Sequence, residues 1–120
     1  MSAGRILCVD DNKALLGALR LSLQFRGFEV ILSHCRAEAL TMLAADKENV
    51  TAIISDHGMA GMSGLEFVSF ARELGFEGTI VIMSGNLGAA ELREYEQFSI
   101  SGFFHKPFDI DRLAQMLINA

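Results

Sequence analysis

Little in this chain belongs to the protein classes that rely on covalent staples, membranes or nucleic acids. Its 120 residues include two cysteines. Cys8 lies inside an apolar run and Cys35 near a loop or helix start, so they form no disulfide framework; cytosolic disulfides being rare, both read as buried free thiols. Basic residues are outnumbered, with 10 Lys and Arg against 15 Asp and Glu and a formal net charge of −5. Nucleic-acid binding leans on clustered Lys and Arg, so no direct nucleic-acid partner is expected, and no helix-turn-helix pattern is present. No apolar run approaches the roughly 18 residues of a membrane span. No long apolar segment follows Arg5, so residues 1–5 do not read as a signal peptide, and the expectation is a cytoplasmic protein with no membrane partner. The sequence Asn49-Val50-Thr51 has the form of a glycosylation acceptor, which has no use without a secretory route. His34, His57 and His105 share no metal-ligand spacing. No linker, internal repeat or low-complexity stretch divides the chain, and residues 1–120 suit a single domain with a real core.

What the chain has is an alternation of strand and helix, repeated five times. Residues 5–10 read as a strand. Residues 13–26 read as a helix, with Asn12 as N-cap, Leu15, Leu16, Leu19 and Leu23 on one stripe, and Gly27 as its stop. A short strand is expected over 29–33, then a helix over 36–45 with Ala37, Leu40, Leu43 and Ala44 inward. The third strand spans 51–56 and the third helix 64–74, with Leu65, Val68, Ala71 and Leu74 inward. The fourth strand is 79–83, followed by a weaker helix over 88–97 that starts near Gly88. The fifth strand is 101–106, and the last helix 109–118 has Asp109 as cap and Ile110, Leu113 and Leu117 inward. Helices of this length between strands imply parallel pairing through right-handed crossovers. Runs apolar at every position, such as Ile80-Val81-Ile82-Met83, fit strands covered on both faces. In open sheets of this kind ligands bind at the carboxyl ends of the strands, where the strand order switches.

The chemistry-bearing residues fall at those ends. Asp10 and Asp11 follow the run Ile6-Leu7-Cys8-Val9, and Asp56 follows Ala52-Ile53-Ile54-Ser55. If these runs are neighbouring strands, three carboxylates meet at one edge and repel unless a divalent cation sits among them or one is partly protonated. Ser84 ends the fourth run and Lys106-Pro107 the fifth. A metal site, a carboxylate nucleophile, a hydroxyl and a cation together suit phosphoryl transfer onto Asp56. His57 reads as an exposed loop residue rather than an acid or base. Phe103 and Phe104 alternate across a strand, as core residues do.

Asp10-Asp11-Asn12, Asp56 with Met59 and Gly64 after it, Ser84-Gly85 and Lys106-Pro107-Phe108 together resemble the receiver domain of two-component response regulators, in order and spacing, over essentially the whole chain. The resemblance implies a flavodoxin-like α/β fold, a five-stranded parallel sheet in the order 2-1-3-4-5 with five helices on both faces. It implies that Asp56 is the phosphoacceptor, taking a phosphoryl group from a histidine kinase or histidine phosphotransfer protein. By the same likeness Asp11 ligates Mg2+ (or Mn2+) directly, Asp10 acts through a bound water and Gly58 supplies a backbone carbonyl. Lys106 would contact one phosphoryl oxygen and Ser84 another, Phe103 occupies the aromatic switch position, and the Lys106–Pro107 bond would be cis. Such a domain is a phosphorylation-dependent signalling switch, not an enzyme beyond its own phosphotransfer and autodephosphorylation. It would act on a downstream protein through the face made by the fourth helix, fifth strand and fifth helix, as a monomer or a phosphorylation-induced dimer, in the manner of single-domain chemotaxis regulators. One departure is Met59-Ala60 where the family often has Met-Pro, which loosens the loop after the acceptor.

Three other classes compete. A small phosphatase with an aspartate nucleophile wants a second acid two residues on, where this chain has Gly58. A flavodoxin-like cofactor carrier needs a first loop that cradles phosphate, which Asp10 and Asp11 would repel. A degenerate receiver that only docks partners would not need the full set of side chains found here.

Overall fold

A computed structural model describes residues 3–59 and 61–119. The alternation continues without a break: β1 (Arg5–Val9), α1 (Lys13–Phe25), β2 (Glu29–Ser33), α2 (Arg36–Asp46), β3 (Ala52–Asp56), α3 (Gly64–Glu73), β4 (Thr79–Ser84), α4 (Ala89–Glu96), β5 (Gly102–His105) and α5 (Ile110–Asn119). The strands pair in parallel in the order β2-β1-β3-β4-β5. Element types match the expected ones throughout, and the ends differ by a residue or so. No helix among the described residues is long and apolar enough to cross a membrane.

Local chemistry explains where the elements begin and end. The Asn12 side chain accepts the Leu15 N–H at 3.1 Å and so caps α1. Gly27, at φ +92°, takes the left-handed turn that stops it and donates its N–H to Gln24. Ser63 and Glu66 exchange side-chain and backbone hydrogen bonds as a capping box at the start of α3. The Asp109 carboxylate accepts the Asp111 N–H at 2.9 Å ahead of α5.

The sheet carries a core on each face. Ile6, Cys8, Ile54, Val81 and Met83 pack against α1 and α5, while Leu7, Val9, Ile53, Ile80 and Ile82 pack against α2, α3 and Tyr95 of α4. The α2 stripe differs from the expected one: Ala37 and Ala44 are exposed, and Arg36, Ala39 and Leu43 are buried. Alanine-rich helices have little side-chain area with which to fix a face, so a single long residue decides the rotation. The cysteines differ too. Cys8 is buried with its thiol pushed up to about 12 by desolvation, but Cys35 is exposed, because it lies between the end of β2 and the first turn of α2.

At the edge of the sheet opposite the acids, Arg72 of α3 fastens several loops. Its guanidinium donates to the carbonyls of Phe76 and Gly78 before β4, and to those of Phe98 and Ser99 just after α4, all at 2.9–3.0 Å. Ser99 is held there at φ +58°, a conformation uncommon outside glycine.

Candidate functional site

Parallel register brings the predicted residues to one edge. Val9 pairs with Ser55, so Asp10 and Asp56 leave adjacent strands at the same level, and Asp56 in turn lies opposite Met83, one residue before Ser84. The chain runs from β1 outward to β2 and then back across to β3, so this edge is the crevice where strand order switches. Asp10 is wholly buried, Asp56 and Ser84 are nearly so, and Asp11 is exposed. One carboxylate oxygen from each of Asp10, Asp11 and Asp56 lies within 4.8 Å of the others.

Lys106 reaches into this group from the end of β5. Its ammonium is 2.9 Å from Asp10 Oδ2 and 3.0 Å from Asp56 Oδ1. Burial works to lower the lysine pKa, but hydrogen bonds to Asp10 and Asp56 outweigh it and the net direction is upward. The Lys106 N–H donates to the Ser84 carbonyl at 2.7 Å and the Lys106–Pro107 bond is cis, as expected. The other Asp10 oxygen accepts the Asn12 N–H at 2.9 Å. The Ser84 hydroxyl accepts the Asn86 N–H at 3.0 Å. Gly58 flanks Asp56, and a Cβ there would stand 3.8 Å from Asp56 Oδ2. Ala60, the departure noted in the loop, lies outside the described residues.

Three carboxylates face one ammonium, so the edge keeps an excess of negative charge and offers only oxygen donors. That set fits a hard divalent cation such as Mg2+, which prefers oxygen and keeps several waters, and it does not fit a soft metal. Asp10, Asp11, Asp56 and the Gly58 carbonyl are the groups available to hold it.

Phe103 is half-buried and sits edge-on to Tyr95, with ring centroids 5.9 Å apart. Between Phe103 and Ser84 lies a cleft of about 210 Å³, closed on its other sides by Leu87 and Leu92.

Three residues near Asp56 lie outside the sequence-based site. His57 is not an exposed loop residue: Nδ1 is 2.6 Å from the Tyr95 hydroxyl and Nε2 is 2.7 Å from Glu91 Oε2. An ionised carboxylate can only accept, so Nε2 carries a proton, and in the neutral ring Nδ1 accepts the Tyr95 O–H. The Tyr95 hydroxyl is pushed up to about 12, first by burial, and so keeps its proton. Glu91 is held below the usual carboxylate range by the Gly88 N–H and then by His57. The residue after Asp56 is thus tied to α4. The third is Arg36, almost fully buried beneath the loop that follows Asp56. The only tyrosine lying on the weakest helix was a signal for Tyr95; an arginine at a helix start carries none, since it ordinarily reads as solvated.

Comparisons with known proteins agree with this geometry. The sequence profile described as response regulator receiver domain matches residues 6–118. The response regulator MprA of Mycobacterium avium is 33% identical over 109 residues, covering 91% of this chain and 47% of that protein. MprA of Mycobacterium tuberculosis H37Rv is likewise 33% identical, covering 91% of this chain and 46% of its own length. The chain therefore spans about half the length of these curated relatives. Among solved structures, the chemotaxis protein CheY4 of Vibrio cholerae superposes with a TM-score of 0.88 at 26% identity, covering 97% of each chain. A response regulator receiver protein from Pseudomonas putida, at 24% identity and a TM-score of 0.88, shares the fold over 100% of this chain and 99% of its own. A profile that runs from β1 to the end of α5 leaves no element of the fold outside the match: this chain belongs to the response regulator receiver domain family.

Proposed function

We propose that Asp56 accepts a phosphoryl group from the phosphohistidine of a histidine kinase or histidine phosphotransfer protein, in a reaction that requires Mg2+ or Mn2+. The observation that carries this is the meeting of three carboxylates within 4.8 Å with an ammonium 3.0 Å from one of them. An Asp56 carboxylate oxygen attacks phosphorus; the donor's P–N bond breaks and its imidazole leaves with a proton. The acyl phosphate formed is reactive, so transfer is reversible and water can remove the group. A divalent ion supplies positive charge that offsets Asp56 and the transferring oxygens. By the receiver resemblance, Asp11 and the Gly58 carbonyl would hold it directly and Asp10 through a water. Lys106, already on Asp56, holds one phosphoryl oxygen as a cation. Ser84 gives up its contact with Asn86 to bond another.

On this reading the chain is a signalling switch over residues 1–120, cytoplasmic, monomeric or dimerising on phosphorylation, with no catalytic turnover beyond its own phosphotransfer and autodephosphorylation. Output passes to a downstream protein through the α4–β5–α5 face. When Ser84 moves, the cleft beside it admits Phe103, and the added charge of about −1.5 to −2 supplies the differential contacts that bias the two states. Gly58 stands where an aspartate-nucleophile phosphatase wants its second acid, so that alternative gains nothing from this geometry.

Acetyl phosphate with Mg2+ should add one phosphoryl group, labile to hydroxylamine, and Asp56→Asn should abolish it. Stoichiometric labelling of that variant, or wild-type labelling in excess chelator, refutes the assignment. Beryllofluoride, standing in for the phosphoryl group, should move amide resonances throughout residues 88–106.

A further inference from the structure

Among the described residues, Arg36 is the one charged side chain that is almost fully buried without a carboxylate in contact, with 2% of its surface exposed. It opens α2, yet its guanidinium points away from solvent into the loop that follows β3. Nη2 donates to the Asp56 carbonyl, and Nη1 donates to the carbonyls of Met62 and, at 3.3 Å, Met59. Its Nε is buried with no hydrogen-bond partner. Burying a cation with an idle donor is costly, and packing alone would be served better by an apolar side chain of similar length.

The loop it grips explains the arrangement. Between Asp56 and α3 stand Gly58 and Gly61, the latter at φ +86°, and Ala60 takes the place where proline would stiffen the backbone. Such a segment loses much conformational entropy when it is ordered. Arg36 holds carbonyls at its beginning, middle and end from a neighbouring element. The gripped carbonyls of Asp56 and Met59 bracket Gly58, whose own carbonyl completes the proposed cation site.

We propose that Arg36 is a positioning residue for cation binding and phosphorylation: its planar fork fixes the acceptor loop so that the Gly58 carbonyl is already placed when the divalent ion arrives. The inference rests on the receiver reading of Asp56 given above. It depends on the fork and not on charge alone, because guanidinium can span several carbonyls where an ammonium is a single point.

The test compares Arg36→Lys, which keeps the charge, with Arg36→Met, which keeps the length. Mg2+ affinity is read by amide shifts on titration, with a thermal melt of each variant alongside. Both variants should lose about tenfold or more in Mg2+ affinity, the range found when groups that orient metal ligands are removed. Both should also be labelled more slowly by acetyl phosphate. In the wild-type protein the Arg36 Nη protons should exchange slowly with water and shift when Mg2+ is added. The proposal is overturned if Arg36→Lys binds Mg2+ like wild type, which would make charge sufficient. It is equally overturned if both variants melt lower but keep wild-type affinity, or if the wild-type Nη protons exchange as fast as those of a surface arginine. A variant that does not fold leaves the decision to that wild-type measurement. Wild-type protein that takes up neither Mg2+ nor phosphate overturns the receiver chemistry itself, a result distinct from an unchanged Arg36→Lys.

Discussion

Gly64 begins α3 where a side chain would collide with a single atom. An ideal Cβ there would lie 2.1 Å from the Tyr95 hydroxyl oxygen, but 3.4 Å from Tyr95 Cζ and from His57 Nδ1. Its backbone is not in the left-handed region, so alanine strains nothing locally. Tyr95 is wholly buried and cannot swing aside freely. Gly64→Ala must therefore displace either that ring or the start of α3, an overpacking that costs about 1–3 kcal/mol. Tyr95→Phe removes the hydroxyl and leaves His57 Nδ1 without its partner, at about 1 kcal/mol. In the double variant the new methyl meets ring carbon and His57 Nδ1, each at 3.4 Å and at the edge of ordinary contact, so the first cost largely disappears. The pair should be about as stable as Tyr95→Phe alone, a favourable coupling of about 1–3 kcal/mol. Urea unfolding at neutral pH measures all four corners of the cycle, with two-state behaviour expected for a domain of this size. Additive costs would refute the reasoning, because they would place the penalty of Gly64→Ala somewhere other than the hydroxyl.

Two further outcomes follow from groups at the site and in the core. Lys106→Met should lower stability in chelator at neutral pH by leaving buried Asp10 without its ammonium. The native lysine pKa is raised, so the contribution is full below the ordinary value of about 10.4 and fades as pH rises through the native one; the wild-type advantage in urea should stay level up to about pH 10 and shrink above it. An advantage that grows with alkalinity contradicts the assignment. Iodoacetamide at pH 8 should label native protein once, at exposed Cys35, and unfolded protein twice, since Cys8 is both inaccessible and pushed up to about 12; intact mass with two labels on native protein would overturn this.

The parts of this fold that a sequence reveals are those whose cause is local. Strand β3 is buried at all five positions and opens on the apolar run Ala52-Ile53-Ile54, and Leu16, Leu19 and Leu23 fall on one stripe of α1. The acids, the hydroxyl and the lysine were legible because each ends a strand, and parallel pairing gathers strand ends. What escaped depends on distant partners. His57 meets residues 34 and 38 positions away, on a helix whose packing no local pattern specifies. Arg36 binds backbone carbonyls, which every residue has and no sequence distinguishes. The stripe of α2 was misplaced for the same reason, since the buried arginine rather than the alanines sets its rotation.

The two ends of α4 are held by different chemistry, and that makes the helix a lever with a defined fulcrum. Past its C-terminal end, Arg72 grips the carbonyls of Phe98 and Ser99 and joins them to the start of β4. Near its N-terminal end, it is fastened through Glu91 to His57, one residue from Asp56. Several bonds to backbone secure the segment past the far end, and one side-chain pair secures the first turn, while the second His57 contact is to buried Tyr95 in the last turn. A helix of eight residues is about 12 Å long, so a shift of about 1 Å at the His57 end turns it by roughly 5° about the Arg72 end. Such a turn would sweep its greatest arc beside Asp56 and its least at the Arg72 end. A protein that senses α4 reads most of the motion by touching its first turn, and almost none by touching its last.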